Sequence, residues 1–387
     1  MLRLALSEQS EEFRKTLRDW LANNTPPAEA ADTSLEQFER IGRAWQRQLA
    51  DGRWLATHWP VEFGGRGLSL VEEAIVQEEL VRVSAPQVLG LFGLTMVGPI
   101  LISHGTKAQR ERFLPRLLSG DDIWCQGFSE PGAGSDLAAV KARAVPVDGG
   151  YKLSGQKVWT SFAHIADWCF VLCRTSEAEK KHEGLSYLLV DMKSAGIRTR
   201  PLQQISGDRE FNEVFFDDVF VPAEQLVGQQ GEGWKIAIST LMFERVVLTF
   251  ARQLQSEVAL NNMLTEFATT ASASHRVELA RAVVDACATR ALAYSHLMKY
   301  APGDTPGPEG SIDKLLWSEG FQRLCKLGVA LVGSKAALGE VSGEAAAIVH
   351  YYLYSRGRTI AAGSSEIQRN IIAERILGLP RLRYEKS

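Results

Sequence analysis

Apolar residues recur near helical spacing in the first third of the chain, as in Phe38, Ile41, Ala44 and Leu49. They predict helices from Glu8 to about Gly120. Turn-forming clusters break the pattern at Asn23 to Pro27 and at Gly64 to Gly67. Between Ile123 and Val221 the period changes. Tyr151 to Trp159, Trp168 to Arg174, Leu185 to Met192 and Phe211 to Val221 are short runs rich in aromatic and β-branched residues, which predict strands. Asp148-Gly149-Gly150 predicts the turn of a hairpin. After Pro222 and a linker from Gly228 to Gly233, segments rich in Ala, Leu, Arg and Glu predict long helices ending near Leu377.

Helices, then strands, then helices make an α+β protein. A doubly wound parallel sheet needs strand and helix to alternate, and they do not. The expected domains are helical over residues 1–120, β over 121–227 and helical again over 228–387. The most apolar run, Val88 to Ile102, is broken by Gly90, Gly93, Gly98 and Pro99 and is too short for a bilayer, so it predicts buried helix and turn, with no membrane span.

Composition narrows the function. With 387 residues, 45% of them hydrophobic, the chain can bury a sizeable core. Its 43 Lys and Arg against 46 Asp and Glu leave a net charge of −3, which gives no reason to expect nucleic-acid binding. Any anionic cofactor must therefore be held locally. The five cysteines form an odd set without a CxxC pair, so neither a zinc site nor a disulfide framework is expected. Met1 to Ser10 lacks a cationic segment followed by an apolar stretch, and a cytoplasmic protein is expected.

The segment Trp124-Cys-Gln-Gly-Phe-Ser-Glu-Pro-Gly-Ala-Gly-Ser-Asp136 leaves a predicted strand with glycines close to two hydroxyl residues. Such backbone can approach a diphosphate closely. Its glycines lack GxGxxG spacing, so a nicotinamide-dinucleotide fold is poorly supported, and alone the loop also reads as a plain turn. Gly155-Gln-Lys-Val-Trp-Thr-Ser161 supplies an aromatic wall and two hydroxyls, as a planar ring system requires. By periodicity Trp159 is equally a core aromatic.

In this order and spacing, the Pro-Gly-Ala-Gly-Ser-Asp and Gly-Gln-Lys-x-Trp motifs resemble the acyl-CoA dehydrogenase family. Further matches are Trp59-Pro-Val-Glu-Phe-Gly-Gly-Arg-Gly67, Asn212-Glu-Val-Phe-Phe-Asp-Asp-Val-Phe-Val-Pro222 and Glu366-Ile-Gln-Arg-Asn370. The resemblance covers nearly the whole chain. It implies an N-terminal helical domain, a middle β-barrel or sandwich and a C-terminal four-helix bundle, with FAD as cofactor. It places Gln126, Phe128, Ser129, Gly134, Ser135, Trp159, Thr160, Ser161, Ser364 and Glu366 at the flavin. Ser135, Arg245, Ala362 and Gly363 are implied at the substrate, an acyl-CoA thioester. Gln126 stands where the family often has an aromatic residue.

Removing the α hydrogen of a thioester requires a carboxylate in a dry setting and donors to the thioester oxygen. Glu244 shares its predicted helix face with Ala237, Thr240, Leu241, Val247, Leu248 and Ala251, so burial is expected to raise its basicity. An ion pair with an arginine from another helix is the alternative for such an acid. Most of the family carries the base in a Glu-Gly-Thr-Ser-like motif near the C-terminus, but this chain reads Ala361-Ala362-Gly363-Ser364-Ser365. A minority carries it in a Glu-Arg pair on the first helix after the β domain, which Phe243-Glu244-Arg245 matches. Glu244 is thus the expected base and Glu366 the weaker candidate. The resemblance then implies proton loss to Glu244, hydride loss to the flavin and a trans-2-enoyl-CoA product, with electrons passed to an electron-transfer flavoprotein.

Two motifs that grip the adenylate half of FAD in homotetramers, Arg-x-x-Phe-Gly and Gln-x-x-Gly-Gly, are missing. Leu264 to His275 and Leu331-Val-Gly-Ser-Lys335 stand in their places. Similar chains in actinobacterial-type systems form α2β2 tetramers whose partner supplies the missing contacts, and this chain looks like the base-bearing subunit. A homotetramer with altered contacts stays open, as do a flavin oxidase or monooxygenase on the same fold and a non-catalytic scaffold subunit.

Overall fold

The computed structural model describes residues 6–27, 35–300 and 307–381, the side chains of 244–249 lying outside that description. The chain divides into two compact units, one of Glu12–Phe243 and one of Met1–Glu11 with Glu244–Ser387.

In the first unit, helices α1 (Glu8–Asn23), α2 (Leu35–Asp51), α3 (Leu70–Arg82), α4 (Gly98–His104) and α5 (Lys107–Ser119) precede the strands. Ser69 and Thr106 start α3 and α5 with capping boxes, closed by Glu72 and Gln109, so the first N–H groups of both helices are satisfied. The Val88 to Ile102 stretch folds as a π-turn, Gly93–Val97, running into α4. On α2 the buried face is Gly42, Trp45, Gln46 and Leu49; Ala44 is exposed, contrary to the apolar spacing. Gln46 is what shifts the face. Its amide donates to Leu117 O at 2.8 Å and accepts from Gly90 N at 2.7 Å, so a fully satisfied polar side chain sits in the core.

The strands are β1 (Trp124–Gly127), β2 (Arg143–Val147), β3 (Gly150–Ser161), β4 (Trp168–Arg174), β5 (Leu185–Asp191), β6 (Ile197–Pro201), β7 (Phe211–Pro222) and β8 (Leu226–Val227). They form one sheet in the order β6-β7-β3-β2-β4-β5-β8, with β1 pairing β4. Most pairs are antiparallel, β1 and β2 meeting β4 in parallel. Side chains alternate between two cores. Trp168, Phe170 and Leu172 of β4 join the helices' residues, while Cys169, Val171 and Cys173 join a cluster drawn almost wholly from strands. A sheet that encloses its own core and packs helices on its other face is buried on both sides, hence the unbroken apolar run of β4.

The second unit contains most of α6 (Gly233–Phe267), then α7 (Ala273–Leu297), α8 (Gly310–Val332), α9 (Ser334–Leu338), α10 (Gly343–Arg358) and α11 (Ser365–Ile371). Four helices share its core: Ala259, Leu260 and Met263 of α6, Leu279 of α7, Phe321 and Leu324 of α8, and Ile348 of α10. Among the described residues no helix is long and apolar enough to cross a membrane.

Three carboxylates in the first unit make its stability acid-sensitive. Burial raises the pKa of Glu73, Glu79 and Asp167, yet their partners outweigh it and hold all three below their ordinary 4.5, 4.5 and 3.8. The partners are His58 and Thr57 for Glu73, Arg18 and Arg14 for Glu79, and Ile123 N–H, Lys193 and Arg43 for Asp167. Groups depressed in the folded state stabilise it above their unfolded pKa and stop doing so as pH falls through the folded one. The melting temperature is therefore expected to be flat above about pH 5 and to fall steeply in more acid buffer. Glu79→Gln should lower it at neutral pH and shrink the acid loss. An unchanged acid slope in thermal melts of this variant refutes the assignment.

Candidate active site

Strand β1 delivers the glycine loop. Gly127 lies so close to β4 that a Cβ there would meet Cys169 Sγ at 2.9 Å and Val171 Cγ2 at 3.1 Å. Phe128 follows, buried edge-on against Phe170 and Tyr187. The loop is then locked by Lys157 of β3, a cation with 0% exposure. Its Nζ donates to Phe128 O at 3.0 Å, Glu130 Oε1 at 2.8 Å and Leu172 O at 2.7 Å, using all three protons. Burial pushes the Lys157 pKa down and the Glu130 carboxylate opposes it, leaving it lowered. The Glu130 carboxylate in turn accepts Lys141 N at 2.6 Å and Ala142 N at 2.9 Å. Val158 N donates to Ser129 O at 2.9 Å, so the loop and β3 are laced together at Ser129. Beyond a tight turn, in which Glu130 and Ala133 exchange backbone bonds at 3.0 Å, Gly134 and Ser135 are exposed. A Cβ on Gly132 or Gly134 would meet nothing within 4 Å, which leaves the backbone open to a close-approaching group.

At the end of β3 the pairing with β7 slips between Lys157 and Thr160. This bulge puts Trp159 in the left-handed region, φ 59°, and re-aims its ring. Trp159 is 59% exposed and meets Phe211 edge-on, so it is a surface wall and not the core aromatic its periodicity allowed. Thr160 is buried, with Asn212 donating to its carbonyl at 3.1 Å, and Ser161 is half-buried. Thr160 Oγ1 and Gln126 Nε2 are buried polar atoms without a hydrogen-bond partner among the described residues. An aromatic wall, orphaned donors and an open glycine backbone on one sheet suit FAD.

In the second unit, Glu244 and Arg245 lie on α6, but their side chains are outside the described residues. Upstream on α6, within the first unit, Ile236, Ala237 and Thr240 are fully buried. The turn before α11 contains Ala362 and Gly363, both with positive φ, 56° and 89°. Ala361 N donates to Gly357 O at 2.9 Å and Ser365 N to Thr359 O at 3.0 Å. The N–H groups of Ala362 and Gly363 meet no acceptor among the described residues. Ser364 caps α11 by accepting Ile367 N. Glu366 is exposed, and its own backbone N–H and the Ser364 hydroxyl hold its pKa below the ordinary range, which makes it a weak base.

The structure thus gathers Phe128, Ser129, Gly134, Ser135, Trp159, Thr160 and Ser161 on the loop and the strand laced to it, and Ala362, Gly363, Ser364 and Glu366 on one turn. Glu130, Lys157 and Gln368 lie within the sequence motifs without a role assigned by them, and Lys314 lies in none. No local signal marks Lys157, because β3 also holds Lys152, Ser154 and Gln156, and a lysine in so polar a strand reads as exposed.

Models of the acyl-CoA dehydrogenase N-terminal, middle and C-terminal domains match residues 7–121, 125–219 and 231–377. The chain is 44% identical over 382 residues to acyl-CoA dehydrogenase IpdE1 of Mycobacterium tuberculosis (strain ATCC 25618 / H37Rv), covering 96% of this chain and 98% of that one. Among solved structures it resembles the ChsE4-ChsE5 complex from Mycobacterium tuberculosis, with 28% identity and a TM-score of 0.83 over 98% of this chain and 100% of that chain. It also resembles the Tcur3481-Tcur3483 steroid ACAD, with 26% identity and a TM-score of 0.82 over 98% and 100%. Loop, wall, turn and three matching domains together identify the chain as a member of the acyl-CoA dehydrogenase family, FAD-binding oxidoreductases.

Proposed function

We propose that the chain dehydrogenates a bulky, steroid-type acyl-CoA thioester between its α and β carbons, as the base-bearing subunit of an α2β2 assembly. The observation that carries this reading is the turn at Ala362. It offers two backbone N–H groups without acceptors among the described residues but no carboxylate, and the nearby Glu366 is exposed, with its own backbone N–H and the Ser364 hydroxyl holding its pKa below the ordinary range. The base must come from another element, and Glu244 stands where part of the family carries it.

In this reading the Ala362 and Gly363 N–H groups hold the thioester oxygen and stabilise the enolate that forms as Glu244 takes the α proton. FAD, when bound, supplies the acceptor for the β hydride. Gln126, Phe128, Ser129, Gly134, Ser135, Trp159, Thr160, Ser161, Ser364 and Glu366 hold the cofactor, with Ser135 and Arg245 also reaching substrate. Electrons pass on to an electron-transfer flavoprotein in the cytoplasm. The similar ChsE4-ChsE5 complex and Tcur3481-Tcur3483 steroid ACAD each carry two differently named components, which favours a heteromer, and the latter's steroid designation favours a ring-bearing acyl group.

The test is anaerobic bleaching of the flavin by straight-chain, branched and steroid-derived CoA esters, with and without a co-expressed paralogue. Fast bleaching by steroid esters only with the paralogue supports the whole reading; a fully active homotetramer removes the heteromer. Peroxide formed in air at the turnover rate makes the enzyme an oxidase. Replacing the wall gives a separate check: Trp159→Ala should leave the melting temperature of the flavin-free protein nearly unchanged, because its ring is 59% exposed, and weaken flavin binding about tenfold. Flavin titration with unchanged affinity removes Trp159 from the site.

A further inference from the structure

The turn that carries Ala362 and Gly363 is held by two buried side chains that no motif reasoning assigned. Lys314 of α8, 2% exposed, donates from Nζ to Gly363 O at 2.8 Å. Gln368 of α11, 0% exposed, donates from Nε2 to Ala362 O at 2.9 Å and to Gly363 O at 3.0 Å. Its amide orientation is fixed by chemistry, since the opposite flip would set an oxygen against two carbonyl oxygens. A Cβ on Gly363 would lie 2.6 Å from Gln368 Nε2, so glycine is what lets the clamp close.

We infer that Lys314 and Gln368 are positioning residues for thioester activation, an inference that rests on the turn being the thioester site. Ala362 has a Cβ and a φ of 56°, a conformation that persists only where its surroundings over-determine it. With both carbonyls fixed by buried donors, the peptide planes that follow Ala362 and Gly363 cannot rotate freely, which pins the left-handed turn. The same bonds also act along the peptides. Gln368 draws electron density toward Ala362 O, in the peptide whose N–H belongs to Gly363, and so strengthens that N–H as a donor. The Lys314 ammonium adds a charge-assisted bond one peptide on. The clamp matters most when charge builds on the thioester oxygen, so its loss reduces kcat more than it weakens ground-state binding.

The test uses the assembled, FAD-loaded enzyme carrying Lys314→Met or Gln368→Met, each close in length to the original and unable to donate. Flavin content and the Kd of free CoA, which has no thioester, are measured beside kcat and KM for the best CoA ester. The expected result for each variant is normal flavin content, a Kd for CoA within about threefold and a kcat lower by about ten- to a hundredfold at nearly constant KM. Unchanged kcat, or a loss matched by equal losses of flavin and CoA affinity, overturns the inference. Should Lys314→Met not fold, Gln368→Met decides alone. Glu244→Gln run in parallel separates the two claims: if it abolishes bleaching while both clamp variants keep full kcat, the clamp fails and the base stands. If it leaves bleaching intact while the clamp variants lose kcat, the base fails and the clamp stands.

Discussion

Glu244→Gln is expected to cut the rate of anaerobic flavin bleaching by acyl-CoA by about 10²- to 10⁴-fold, the usual worth of a positioned general base. The replacement keeps the size and hydrogen-bonding reach of the side chain and removes only its ability to take a proton. Flavin content, melting temperature and CoA affinity should therefore stay close to the parent's, which separates chemical loss from misfolding. The size of the effect follows from what the chain lacks elsewhere. Ala362 has replaced the acid of the C-terminal motif, and Glu366 is held acidic at the start of α11, so no second carboxylate on that turn stands ready. Stopped-flow reduction by the best CoA ester is the measurement. A variant that bleaches at the parent rate moves the base off this residue, and with it the reading of this chain as the catalytic subunit.

The order of helices, strands and helices was legible because each kind of element repeats at its own period over long stretches. β4 and β5 were found as apolar runs, although the reason for their continuity, a core on each face, is a property of the curled sheet. β2 and β6 escaped notice. Arg143-Ala-Val-Pro-Val147 buries only Ala144, and Ile197-Arg-Thr-Arg-Pro201, at an edge of the sheet, buries no residue fully and exposes Arg198, Arg200 and Pro201, so neither offers an apolar run to read. The glycine loop proposed for the flavin was visible through its glycines and Trp159 through its motif, but the exposure of Trp159 depends on a bulge that no local signal announces. Buried polar residues were the least legible. Gln46, Lys157, Lys314 and Gln368 read as surface positions until the carbonyls and carboxylate that satisfy them are brought near by folding.

Lys157→Met is the second large effect, and it is an effect on stability. The methionine fills much of the same volume, so little packing is lost, but Glu130 keeps its charge at 8% exposure with its cation gone. Breaking a buried pair in this way costs about 3–5 kcal/mol, because the remaining charge stays desolvated. Two carbonyls, Phe128 O and Leu172 O, also lose a donor. Urea unfolding should show this as a lower midpoint at a similar slope. Because Phe128 and Glu130 flank Ser129, retained flavin should fall as well, beyond the loss of folded protein. The partner variant decides whether charge is the cause. Glu130→Gln in the Lys157→Met background removes the stranded carboxylate and keeps one acceptor oxygen for either the Lys141 or the Ala142 N–H, its amide nitrogen falling against the other, and should recover part of the midpoint. If the double variant is no more stable than Lys157→Met alone, the cation contributes through packing and carbonyl bonding, and the ion pair is not what locks the loop.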